Sequence, residues 1–273
     1  MEKIQTPFSN PAELALAARH EIIKMTSAAK ASHVASALSV VDILSTLYAG
    51  SAKISTQNLD DPTRDIIILS KGHSASALYS VLALQGFFPM GWLADYCKND
   101  APLGGHVTFK GVPGVELSTG SLGHGLPYGL GIAMARKKTG VSGRVFVVLS
   151  DGECDEGTIW ESAMIANHHG LDNLVVIVDR NKIQSLTFTE ETLKLEPFAE
   201  KWRAFGWETE EVPGHDYQAL QKSLSSQKSP KCIIADTTKG KGVDFMENSV
   251  LWHYKSPSSE DLTKAFDQLS ENY

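Results

Sequence analysis

Cysteine is scarce in this sequence. Its three residues, Cys97, Cys154 and Cys232, lie far apart and form no CxxC pair. That argues against a disulfide framework and against a thiolate metal site. An excess of basic charge is also missing: 25 Lys and Arg stand against 32 Asp and Glu, a net charge of -7. A general nucleic-acid binder needs a basic face, so that class is set aside. Any polyphosphate must then be held locally, by a metal, by backbone N–H groups or by a few cationic side chains. The opening "MEKIQTPFSNPAELALAARHEI" lacks the pattern of a signal peptide. No apolar run reads as long enough to span a membrane. The expectation is a cytoplasmic protein with neither a membrane nor a nucleic-acid partner. No repeat or low-complexity linker interrupts the chain, which reads as a single domain over residues 1–273.

What is present is an alternation of strands and helices. Asn10 stands before Pro11 as a cap for a helix over 11–29. Apolar residues at helical spacing predict a second helix over 36–50, ending in Gly50. Short apolar runs predict buried strands at 65–70, 145–150, 174–179 and 231–236, with a further strand near 207–212. Helices are expected at 74–86, 121–140, 157–169, 197–205 and 216–226, and a loop rich in Gly and Pro at 97–119. This order predicts an α/β fold, a mainly parallel sheet with helices on both faces. Ligands of such sheets bind at the carboxyl ends of the strands.

Two polar residues stand out at those ends. In "VFVVLSDGECDEGTIWESAMIANHHGLDNLVVIVDRN", Asp151 follows one apolar run and Asn181 nearly follows the next. If the two strands are parallel neighbours, both side chains emerge at one edge. One carboxylate, one amide oxygen and a nearby carbonyl form a partial oxygen shell, too few for a dedicated Ca²⁺ cage. It suits Mg²⁺, which completes its shell with water and phosphate oxygens. Gly152 lets the chain turn close to a ligand. The other reading makes Asp151-Gly152 a turn and Asn181 a cap.

The pattern as a whole resembles the thiamine diphosphate motif, with Ser150 where a Gly is usual. "LSKGHSASALYSVLALQG", "LGGHV", "STGSLGHGLPYGLGIAMA", the stretch from Ser150 to Gln184, "TTKGKGVDFMEN" and "WH" are similar, in that order, to the N-terminal domain of transketolase. The resemblance spans about residues 12–268. It implies a thiamine diphosphate-binding fold and a divalent metal (Mg²⁺, or Ca²⁺ or Mn²⁺) on Asp151, Asn181 and the backbone carbonyl of Ile183. Gly152, His73 and His253 would contact the diphosphate. Gly120, Ser121 and Leu122 would line the cofactor, with Ser121 replacing a common Pro and His124 a common Gln. Glu156 resembles a glutamate between the two active sites of a dimer, and also fits as a helix N-terminal carboxylate. His33 and His106, in "ASHVA" and "LGGHV", would reach the donor substrate. With His73 and His253 they would position hydroxyls or relay protons. His33 also reads as a helix cap or a surface histidine. "KGKGV" (239–243) reads as a loop near the cofactor or as a solvated loop. Glu153 and Asp155 receive no role.

The glutamate that promotes ylide formation belongs, in this family, to a pyrimidine-binding domain for which the chain has no room. The resemblance therefore implies the first subunit of a split transketolase, inactive alone. A C-terminal partner subunit would supply the pyrimidine site and bind the phosphate end of the sugar. Two copies of each chain would form a heterotetramer. The expected reaction is transfer of a two-carbon ketol unit from a ketose to an aldose phosphate. Rivals are a deoxyxylulose-phosphate synthase-like or 2-oxoacid-decarboxylating enzyme, a non-catalytic subunit of the same fold, and a metal-dependent nucleotide binder.

Overall fold

The computed structural model describes residues 7–272. Five strands, β1 (Ile66–Leu69), β2 (Val145–Ser150), β3 (Leu174–Arg180), β4 (Glu208–Pro213) and β5 (Lys231–Asp236), form one sheet in the order β1-β2-β3-β5-β4. All the pairings are parallel. β1, β2 and nearly all of β3 are buried along their length, which is why "IIIL", "VFVVLS" and "LVVIVD" are unbroken apolar runs. β4, "ETEEVP", is the half-exposed outer strand, and its glutamates discourage further pairing.

The helices are α1 (Pro11–Ala28), α2 (Val34–Thr46), α3 (Ala75–Leu84), α4 (Gly125–Thr139), α5 (Gly157–His168), the single turn α6 (Thr189–Thr192), α7 (Phe198–Ala204), α8 (Tyr217–Ser223) and α9 (Ser259–Asn272). They cover both faces of the sheet. Alternate strand residues such as Ile67, Phe146, Ile177 and Ile233 pack with α1, α2, α3, α8 and α9. Their neighbours Ile68, Val147, Val176 and Ile234 pack with α4, α5 and α7. This split follows from the two-residue period of a strand.

The expected elements form with shifted ends. Asn10 caps α1, its side chain accepting from Ala12 N at 2.9 Å, with Pro11 in the first turn. The helix expected from residue 36 begins at Val34 and widens into a π turn over Leu47–Ser51. Residues 121–123 are bend and turn and His124 is the N-cap residue, so α4 starts only at Gly125. α6 and α9 were not anticipated. One reading is corrected: Val34–Ser51 is long and apolar enough to cross a membrane. It is apolar because it lies inside the fold, with 83% of the span buried.

β1, β2 and β3 succeed one another across the sheet; the chain then passes over one position to β4 and returns to insert β5. The crossover helices change face at that reversal, α5 and α7 lying on one side and α8 on the other. The carboxyl ends of β3 and β5 therefore flank a topological switch point, where such sheets leave a crevice.

Candidate active site

Ser150 of β2 is in register with Asp179 of β3, so Asp151 and Asn181 emerge side by side at the carboxyl edge. Asp151 is buried and accepts from Gly152 N at 2.8 Å, Lys182 N at 2.7 Å and Thr189 Oγ1 at 3.2 Å. Asn181 Oδ1 accepts from Ile183 N at 3.2 Å, and the Ile183 carbonyl from Lys239 Nζ at 3.0 Å. A carboxylate offers about four acceptor positions and an amide or carbonyl oxygen about two. Each of the three groups thus keeps acceptor capacity beyond these bonds, a donor set that fits a hard cation. The cap reading of Asn181 holds as well, since its side chain accepts from the backbone N–H two residues on. Burial pushes the Asp151 carboxyl up to about 6, against the bonds from Gly152 and Lys182, with nearby Asp179 adding to the rise. Among the described residues no three His, Cys, Asp or Glu are grouped to hold a metal by themselves. A cation here needs further ligands from water or phosphate.

Two buried lysines face the same cleft. Lys71, just past β1, is paired with Asp179, and both side chains are fully buried. Ser39 Oγ donates to Asp179 at 2.7 Å, and Thr237 Oγ1 donates as well. Burial raises the Asp179 carboxyl, but Lys71 and these hydroxyls outweigh it and hold it below the ordinary value. Lys239 Nζ reaches the carbonyls of Ile183 and Gln184 and lies 2.8 Å from His253 Nδ1. Burial, then Lys71, lowers it to about 7. The "KGKGV" loop is therefore not a solvated one: Lys239, Gly240, Gly242 and Val243 are buried, and Lys239 lines the cleft.

The four histidines singled out in the sequence converge. The His33 ring centroid lies 5.3 Å from that of His73, 5.6 Å from His106 and 5.0 Å from His253. His33 does occupy the N-cap position of α2, at φ 71°, but makes no side-chain capping bond. Its backbone N–H donates to His253 O at 2.8 Å. Burial lowers His33 to about 4 and His253 to about 3, and pushes His73 well below its usual value. These rings are neutral near pH 7, able both to donate and to accept a hydrogen bond. His106 is the exposed member.

Glycines allow the close approaches. A Cβ on Gly120 would lie 3.1 Å from the His106 ring, and one on Gly152 2.7 Å from Gln184 Cγ. Leu122 lines the cleft, whereas Ser121 is exposed and does not line it. Glu156 precedes α5 as its N-cap residue, without a side-chain capping bond, and its exposed side chain stays out of the cleft. Asp155 accepts from Gln184 Nε2 at 2.7 Å.

Lys71, Lys239, Asp179 and Glu153 were missed. Glu153 is fully buried and accepts from Ser70 Oγ, from Gly123 N at 2.9 Å and from Ser150 N at 3.2 Å. It ties the Gly-rich turn to the ends of β1 and β2. The available signal was position: Lys71 lies two residues past β1 and Lys239 three past β5, at the edge where ligands bind.

Residues 12–269 match the family described as "Transketolase, thiamine diphosphate binding domain". The chain is 40% identical over 261 residues to an apulose-4-phosphate transketolase subunit of Actinobacillus succinogenes, covering 94% of this chain and 95% of that one. It is 37% identical over 243 residues to the 6-deoxy-6-sulfo-D-fructose transketolase subunit SqwG of a Clostridium species, covering 88% of each. The transketolase of Leishmania mexicana has the same fold, with a TM-score of 0.89 at 24% identity over 96% of this chain. This chain spans 42% of that one. By the extent of the family match and of its relatives, the chain belongs to the transketolase thiamine diphosphate-binding domain family.

Proposed function

We infer that the chain is the diphosphate-binding subunit of a two-chain transketolase, moving a two-carbon ketol unit from a ketose phosphate to an aldose phosphate. The observation that carries this is the joining of two half-sites in one cleft. Three oxygen groups with spare acceptor capacity and two buried lysines stand beside four clustered histidines.

When bound, thiamine diphosphate supplies a nucleophilic carbon and an electron sink for the ketol unit. Asp151, Asn181 and the Ile183 carbonyl would hold the divalent metal, Mg²⁺ or else Ca²⁺ or Mn²⁺. Lys71, Lys239, His73, His253 and Gly152 hold the diphosphate. Gly120 and Leu122 line the rest of the cofactor, with Ser121 at the exposed rim. His33 and His106 bind sugar hydroxyls and pass protons at the reacting carbons, roles that imidazoles suit. A partner chain covers the cleft and brings the pyrimidine site. The relatives that carry the word subunit in their names support this. So do the exposed Leu186, Phe188, Leu251 and Tyr254, chain neighbours of the cleft residues Ser185 and His253. Two copies of each chain make the assembly.

The test is ketol transfer from xylulose 5-phosphate to ribose 5-phosphate with Mg²⁺ and thiamine diphosphate, using this chain alone and with its partner. Activity in the mixture only, abolished by Asp151→Ala, is the expected result. Strong activity from the isolated chain sinks the partner requirement. Silence in both, with cofactor binding intact, redirects the search to 2-oxoacid donors.

A further inference from the structure

The segment 237–242 carries Lys239 into the cleft, and part of what holds it lies outside the cleft. Thr238 N donates to His215 Nε2 at 2.8 Å. A backbone N–H can only donate, so Nε2 is unprotonated and the ring carries its proton on Nδ1. Nδ1 lies 2.6 Å from Asp42 Oδ2 and donates to it. Asp42, on α2, also accepts from Arg19 Nη1 and Nη2 at 2.9 and 2.6 Å and from the Tyr217 hydroxyl at 2.6 Å. Burial opposes ionisation of Asp42, but Arg19 and His215 outweigh it and hold its carboxyl well below the usual range. Arg19 Nε in turn donates to Lys241 O at 3.2 Å.

The imidazole is thus fixed at both ends, by a carboxylate on one side and by the loop on the other. The loop has little slack. Gly240 N donates to Ala35 O at 2.9 Å, and a Cβ on Gly240 would lie 2.3 Å from Met246 O. Thr238 is the residue next to Lys239. A shift of the loop at Thr238 moves the Lys239 ammonium away from Ile183, Gln184 and His253.

We propose that His215, held as the Nδ1–H tautomer by Asp42, is a positioning residue for diphosphate binding: through the Thr238 N–H it fixes the loop that aims Lys239 into the cleft. This rests on the reading that the cleft takes thiamine diphosphate. Two substitutions separate positioning from packing. His215→Gln places an amide oxygen near the Nε2 position and keeps an acceptor for Thr238. His215→Asn keeps an amide near Nδ1 for Asp42 but leaves the Thr238 N–H without an acceptor. Both remove the ring, so a packing role alone predicts equal losses.

The experiment measures thiamine diphosphate affinity with Mg²⁺, by calorimetry on the chain with its partner. It also measures amide hydrogen exchange over 238–243 in the chain without cofactor. His215→Asn should weaken affinity ~10-fold, the equivalent of about 1.4 kcal/mol, and speed exchange in the loop. His215→Gln should stay within ~3-fold of the parent, a difference of under about 0.7 kcal/mol. Equal losses in both variants, or parental affinity and exchange in His215→Asn, overturn the proposal. If the parent assembly binds no thiamine diphosphate, the functional reading fails, and loop exchange alone decides whether His215 fixes the loop.

Discussion

Asp151 and Asp179 stand at the ends of neighbouring strands, both buried, and the chain treats them oppositely. Asp179 has its cation built in: Lys71 pairs with it, and Ser39 and Thr237 donate to it. Asp151 receives two backbone N–H groups and one hydroxyl, and burial leaves its carboxyl raised to about 6. One carboxylate is completed by the fold. The other keeps charge and acceptor capacity for something the chain does not contain. A buried charge without a partner is costly, so such a residue persists where a ligand compensates it.

The largest test of this contrast is Lys71→Met, which strands Asp179. Unfolding free energy should fall by ~3–5 kcal/mol, read from the denaturant midpoint at unchanged slope. Adding Asp179→Leu should recover most of that loss, and a failure to recover would show that Lys71 acts through something other than the pair. Asp151→Asn is the counterpart. Stability without cofactor should change by less than ~2 kcal/mol, while affinity for thiamine diphosphate with Mg²⁺ should drop ~1,000-fold. A stability loss as large as that of Lys71→Met would erase the distinction between the two aspartates.

His106→Ala removes an exposed ring. It should lower kcat/KM for ketol transfer ~100-fold and leave cofactor affinity unchanged, separating the outer histidines from the diphosphate cradle. Glu210, on the outer strand, is the weak limit. Burial raises its carboxyl, but the Ser223 hydroxyl and Lys231 together outweigh it and hold it below its ordinary value. A depressed carboxyl contributes stability above the unfolded value, near ~4, and loses it as pH falls through the folded value. Glu210→Gln should therefore lower Tm by no more than ~2 °C at about pH 7, and by nothing measurable once both states are protonated.

Much of the frame was legible in the sequence, and the reason is local. Four of the five strands, β1, β2, β3 and β5, were found because a buried parallel strand writes itself as an apolar run; β4, half-exposed and rich in glutamate, carries no such run. Asp151 and Asn181 were found because each interrupts or follows such a run at the edge where ligands bind. The clustering of His33, His73, His106 and His253 was expected from family resemblance, since nothing local brings residues 33 and 253 together. Lys71, Lys239 and Glu153 escaped because long charged side chains read as solvent-facing. Their burial depends on partners supplied from far along the chain: Asp179 for Lys71, the Ile183 and Gln184 carbonyls for Lys239, and Gly123 for Glu153. α9 was missed although Ser258 Oγ accepts from Asp261 N at 3.1 Å at its start and Asp261 Oδ2 accepts back from Ser258 N at 3.0 Å, as in a capping box. No strand followed to frame it.

The sheet order also dictates when the cleft can exist. β5 is the last of the described strands in the chain, yet it lies between β3 and β4. A chain emerging from the ribosome up to residue 230 has β3 with one bare edge and β4 with no hydrogen-bonding neighbour. It also lacks Thr237 and Lys239. During synthesis the cleft therefore cannot be complete before β5 and Lys239 emerge, and the β3 edge that pairs with β5 has no strand partner until then. Stalling or truncation before residue 231 should yield an aggregating fragment rather than a weak binder.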